Sequence, residues 1–138
     1  MSRPESDIAD DIQAFQPVDG EWLGLDELLE ELFARDVTSR GIASLLNVFE
    51  RFPTDDGAGV FWGMVHALES LPDYQSALVQ SVQAVPSEFG VIMIHRLLNS
   101  GVPEVDGKNL HALLENIAEN DAIPSEVQVR ARKCLESM

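Results

Sequence analysis

From residue 25 onward the apolar positions recur at intervals of three and four rather than two, the spacing of one face of an α-helix. Leu25, Leu28, Leu29, Leu32 and Phe33 form a first stripe, with Asp26, Glu27, Glu30 and Glu31 on the opposite side. Ile42, Leu45, Leu46, Phe49 and Phe52 form a second, opened by Thr38 or Ser39 as a cap and stopped by Pro53. The segment TDDGAG is a turn in which Asp55 or Asp56 is placed to cap a third helix, where Phe61, Met64, Val65, Leu68 and Leu71 share a face. Pro72 ends that helix and suits the start of the next, which carries Tyr74, Leu78, Val82 and Val85. A fifth helix follows PSE and carries Phe89, Ile92, Met93, Leu97 and Leu98. Its GVIMI segment is apolar all round and would also suit a buried strand, but the pattern continues through HRLLNSG, with Gly101 where a left-handed terminal residue belongs. Leu110, Leu113, Leu114 and Ile117 mark a sixth helix; Val127, Ala131 and Leu135 mark a seventh, opened by Pro124, Ser125 and Glu126.

Prolines at 53, 72, 86, 103 and 124 punctuate this pattern at the interval of one helix plus a turn. Such short connections place successive helices antiparallel. The expected fold is all-α, with six or seven antiparallel helices in a HEAT-like array or an irregular bundle. His66-Ala67-Leu68 recurs as His111-Ala112-Leu113, and Pro86-Ser87-Glu88 as Pro124-Ser125-Glu126. The two offsets differ by about two helical turns, so the echoes do not establish a repeat. Residues 1–20 contain Glu5, Asp7, Asp10, Asp11 and Asp19 with few large apolar side chains, too little to offset their ordering entropy by burial. They read as a mobile acidic segment ahead of a single helical domain over 21–138, with a short helix over 8–15 as the alternative.

Length and composition fit one domain: 138 residues, 45% of them hydrophobic. Charge changes the picture more, because 24 acids against 9 bases leave a formal net charge of −15. Such a field repels nucleic acid and anionic membranes and speeds encounter with a basic partner. An acidic surface of no specific purpose is the plainer reading. The lone Cys134 closes no intrachain disulfide, and MSRPESDIADD lacks the apolar run of a signal peptide, so a cytoplasmic protein is expected. No window approaches the ~20 apolar residues needed to span a bilayer. Oligomeric state is left open.

Trp62, His66 and Glu69 cluster about a third of a turn from the apolar face of the third helix. That second face reads in three ways: packing against a neighbouring helix, gripping a partner through tryptophan, or catalysis. The histidines, His66, His95 and His111, fall on three different helices, and neither His66 with Glu69 nor His111 with Glu115 forms a known metal-binding pair. Arg130, Arg132 and Lys133 flank Cys134 and would favour a thiolate, whereas Ala131 and Leu135 place it as a half-buried structural cysteine. The chain has no GxGxxG, GxxxxGK[ST] or GxSxG motif. No catalytic residue, metal or cofactor is expected. Asp26, Glu27, Glu30 and Glu31 read either as carboxylates for acid–base work or as a solvated face beside the helix's positive end. Through Asp56 there are 14 acids and 4 bases, against 10 and 5 thereafter, so the N-terminal part is better suited to a cationic surface.

The runs HALESLPDY, PSEF and MIHRLLNSG resemble the all-α immunity proteins of bacterial polymorphic-toxin systems, of the contact-dependent inhibition and Rhs types. The resemblance covers residues 40–101 and extends thinly to the C-terminus. It implies a small cytosolic helical protein, encoded beside a toxin, that binds the toxin's C-terminal domain and protects the producing cell. No contact residue is carried over from it. Many intracellular toxins act on nucleic acid through basic clefts, so an acidic inhibitor would be attracted and would occlude them. The candidate partner surface is Asp26, Glu27, Glu30, Glu31, Asp55 and Asp56, with Trp62, Glu69, Asp73 and Tyr74 on adjoining helices and Trp22 as a further anchor if exposed. The alternatives are a helical-repeat adaptor for a cellular protein and an enzyme or metal protein using the three histidines.

Overall fold

Each predicted stripe turns inward as a helix in the computed structural model, which describes residues 3–138. The elements are α1 (Glu5–Ala14), α2 (Leu23–Phe33), α3 (Ser39–Arg51), α4 (Val60–Glu69), α5 (Tyr74–Ala84) and α6 (Glu88–Asn99). A hairpin of β1 (Glu104–Val105) and β2 (Lys108–Asn109) follows, then α7 (Leu110–Ala118) and α8 (Ser125–Glu136). The fold is all-α, with eight α-helices among the described residues rather than six or seven.

The additional helix is α1: residues 5–14 form an ordered helix close to the alternative given for 8–15, in place of a mobile segment there. Ile8 and Ala9, with Ile12 one turn further on, share a face and are fully buried, and α1 packs chiefly on α3. Polar clamps between distant residues supply the rest. The Glu5 carboxylate accepts hydrogen bonds from the Thr38 backbone N–H at 2.6 Å and from the Thr38 hydroxyl, at the start of α3. At the other end, Arg51 donates to the carbonyls of Phe15 and Ile12 at 2.7 and 2.8 Å, tying the end of α1 to the end of α3. Arg3 reaches Glu31 of α2 through Nε and Nη2 at 2.9 and 2.8 Å.

These pairings also give the helix directions. The start of α1 meets the start of α3 and the end meets the end, so the two run parallel. The residue ahead of α1 meets the end of α2, and Phe15 packs on Trp22 at the start of α2, so α1 and α2 are antiparallel. The same logic makes α4 and α6 parallel, through Trp62 on Phe89 and Glu69 on Arg96. It makes α6 and α8 parallel through Glu88 with Arg130 and His95 with Ser137. One row is thus α1, α3 and α5, and the other is α2, α4, α6 and α8, with α7 paired to α8. This is the neighbour order of a stacked helix-pair array. The sequence echoes do not mark its repeats. Ser87 caps α6 by accepting from the Gly90 N–H, whereas Ser125 is already the first residue of α8 and makes no cap bond.

The core runs through every helix. At one end of it five phenylalanines and both tryptophans form a connected aromatic series, from Phe15 through Trp22, Phe52, Phe61, Phe49 and Phe89 to Trp62. The hairpin was not anticipated. Asp106 and Gly107, both at positive φ (52° and 77°), make the two-residue turn that joins its strands. Pro72 stands two residues ahead of α5, whose cap position is Asp73, and Val85 is exposed beyond the end of that helix.

Candidate protein-binding cleft

The turn between α3 and α4 builds the acidic edge of the candidate site. Gly57, Ala58 and Gly59 take φ values of 59°, 52° and 92°, three left-handed residues in succession. Ala58 carries a steric cost of about 1–2 kcal/mol in that conformation. Gly57 is required twice over, because a Cβ there would lie 2.4 Å from Cδ1 of Phe61. Asp55 and Asp56 hold the turn from its N-terminal side. Asp55 Oδ1 accepts from the backbone of Asp56 and Gly57 at 2.8 and 2.9 Å, and Asp56 Oδ1 accepts from Ala58 at 3.0 Å. Both therefore cap the turn, and Gly59 rather than either aspartate occupies the cap position of α4.

Beyond the turn, a cleft of about 760 Å³ opens over α6. Thr54, Asp55 and Asp56 line one edge, Trp62 of α4 the adjoining wall, and Phe89 and Ile92 of α6 the apolar part. Glu88, His95, Arg130 and Cys134 complete the lining towards α8. Trp62 is 43% exposed, and its ring stands edge-on to Phe89 at 5.3 Å, at the outer end of the aromatic series. An exposed tryptophan resting on a buried phenylalanine offers a large, amphipathic contact area. Glu88 and Arg130 face each other at 3.5 Å and offset each other's charge. Among the described residues Asp55 and Asp56 have no cationic partner, so the cleft keeps an unbalanced negative edge beside its exposed aromatic ring.

The remaining predicted residues separate. Asp26, Glu27 and Glu30 are exposed on the outer side of α2, as expected, but do not line the cleft. Glu31 is engaged by Arg3, whose hydrogen bond holds its carboxyl below the usual glutamate range. Glu69 is engaged by Arg96 of α6 at 2.7 and 2.8 Å, a bond that raises the guanidinium's pKa. Tyr74 is only 8% exposed and Trp22 5%, so neither is an exposed anchor; both fill the core. Glu69 and Tyr74 border a different concavity of about 450 Å³, shared with Arg96. Asp73 is exposed ahead of α5. The second face of α4 is thus divided: its two ends, Trp62 and Glu69, touch α6, and His66 between them stays exposed against Trp62 at 6.4 Å.

His95 Nε2 lies 3.1 Å from the Ser137 hydroxyl, and His111 Nδ1 lies 3.1 Å from Glu115. Among the described residues no three His, Cys, Asp or Glu side chains gather into a group able to hold a metal ion. Cys134 is buried, and burial pushes its thiol pKa up against the opposing pull of Arg130, which agrees with the structural reading of this cysteine rather than the thiolate one. Phe89 and Ile92 were read as core alone, yet both line the cleft. For Ile92 the signal lay in GVIMI, whose apolar girth exceeds what one buried stripe needs.

No family model, no curated protein and no solved structure matches the chain. No helix among the described residues is long and apolar enough to cross a membrane.

Proposed function

We propose that this protein acts in the cytoplasm by stoichiometric binding, as an immunity protein that neutralises a basic, nuclease-type toxin domain by covering its active or substrate-binding surface. The observation that carries the reading is the cleft edge: two aspartates without cationic partners, fixed by backbone donors, beside an exposed tryptophan. The net charge of −15 supports it, since such a field draws a cationic surface into encounter and the buried contacts then set its lifetime. Binding requires no substrate, metal or cofactor of the chain's own. The resemblance of HALESLPDY, PSEF and MIHRLLNSG to immunity proteins points the same way.

Co-expression with the toxin domain encoded beside it tests the proposal. The pair should co-purify in fixed proportion, and the chain should restore growth to cells producing the toxin. A toxin domain that neither binds nor loses toxicity refutes it. The stacked helix pairs favour one second reading, an adaptor for a cellular protein, because such arrays present extended binding surfaces. A gene neighbourhood without a large secreted-toxin gene would favour that reading.

A further inference from the structure

We propose that the cleft over α6 is an arginine-accepting site, in which a guanidinium from the bound partner stacks on the face of Trp62 while Asp55 and Asp56 receive its N–H donors. This rests on the protein-binding reading above and names the partner chemistry it requires.

Three features on different elements converge on a planar cation. Trp62 is exposed but leans edge-on against Phe89, leaving ring surface towards the cleft. Indole is the preferred aromatic partner for a cation, and guanidinium stacks on it as well as being attracted to it. The aspartates each spend Oδ1 on the turn, which fixes the carboxylates and leaves Oδ2 of each outside any hydrogen bond with the described residues. Paired carboxylate acceptors match the forked donors of arginine better than the point charge of lysine. Glu88 does not compete, because Arg130 already faces it at 3.5 Å. The apolar stretch of Phe89 and Ile92 suits the methylenes of the arginine stem.

The probe is a blocked pentapeptide, acetyl-Gly-Gly-Arg-Gly-Gly-amide, titrated into the protein with the indole N–H resonances as readout; the citrulline and lysine versions are controls. Trp62 and Trp22 report separately, since Trp22 is buried and serves as the internal reference for folding. The arginine peptide should shift Trp62 saturably and leave Trp22 in place. Citrulline should not shift it, and lysine should bind several-fold more weakly. The double variant Asp55→Asn and Asp56→Asn keeps the Oδ1 acceptors that hold the turn, and should raise the dissociation constant about tenfold or more. A stationary Trp62, an equal response to citrulline, or an unchanged constant in the double variant overturns the proposal.

The same variants separate this proposal from the reading beneath it. If the double variant and Trp62→Ala retain the toxin domain as the unchanged chain does, the cleft assignment falls while protein binding stands. If the unchanged chain retains no toxin domain yet binds arginine at Trp62, the arginine site stands and the immunity reading falls.

Discussion

The outer face of α2 and the turn ahead of α4 are both acidic and exposed, but they hold their charges differently. Asp26, Glu27 and Glu30 project from a regular helix, and nothing among the described residues fixes their carboxylates. Asp55 and Asp56 are held by backbone N–H groups beside a cleft and an exposed tryptophan. Free surface carboxylates act at range and are screened by salt, so they govern encounter. Fixed carboxylates beside an aromatic ring act at contact, where orientation has already been settled before the partner arrives. Charges of one sign held in these two ways therefore predict unequal roles.

The largest effect should come from breaking the fixed region. Gly57→Ala combines a left-handed backbone with a Cβ driven into Phe61, and should cost about 3 kcal/mol of stability. Gly20→Ala shares the positive φ but meets open space, so it should cost only about 1 kcal/mol. Denaturant unfolding of the two variants side by side measures the difference; equal losses would mean that the Phe61 contact is not what the turn depends on.

Acid should act next, on the clamps of α1 rather than on either candidate surface. Burial raises the Glu5 carboxyl pKa, but hydrogen bonds from Thr38 and Gly41 and the charge of Arg35 outweigh it, so the group titrates below its ordinary value of 4.5. Glu31 is likewise lowered, by the hydrogen bond from Arg3. A lowered folded-state pKa means stabilisation that is complete above about 4.5 and is lost as the pH falls through the folded value. Unfolding midpoints taken from pH 7 downwards should decline on that acid side, and Glu5→Gln should lower the pH 7 midpoint while flattening the decline. An unaltered slope in that variant would remove Glu5 from the account.

The smallest effect belongs to the free face. Replacing Asp26 with Asn and Glu27 and Glu30 with Gln should leave stability within about 0.5 kcal/mol, because those groups touch nothing that folding depends on. A loss of 2 kcal/mol or more would show that α2 uses them structurally.

The helices were legible because one buried face imposes its period on the residues that line it, and α2 to α8 each have one. What was illegible has a common cause. Ile8, Ala9 and Ile12 make a stripe narrow enough that α1 stood only as the alternative to a mobile segment; its remaining support comes from Thr38, Arg51 and Glu31, each 28 or more positions away from its partner. Glu69 looked available on its helix until Arg96, 27 positions on, closed over it. Local spacing shows which side chains share a face and not what that face meets. Tyr74 and Trp22 were misjudged for the same reason. The two Asp-Gly turns, at 19–20 and 106–107, were readable in principle, since both pairs adopt positive φ as that dipeptide favours. The exposure of Asp55, Asp56 and Trp62 was foreseeable because turn chemistry and a second helix face are local properties.

The most direct test of the central claim, that charge on α2 brings a basic partner in and the fixed cleft holds it, is the pair of rate constants with the toxin domain. Reversing Asp26, Glu27 and Glu30 to lysine should slow association by about tenfold or more at low salt, with dissociation nearly unchanged. Asp55→Asn with Asp56→Asn should instead accelerate dissociation and change association little. Neither rate moving in either variant, or the two variants exchanging their effects, would contradict the account.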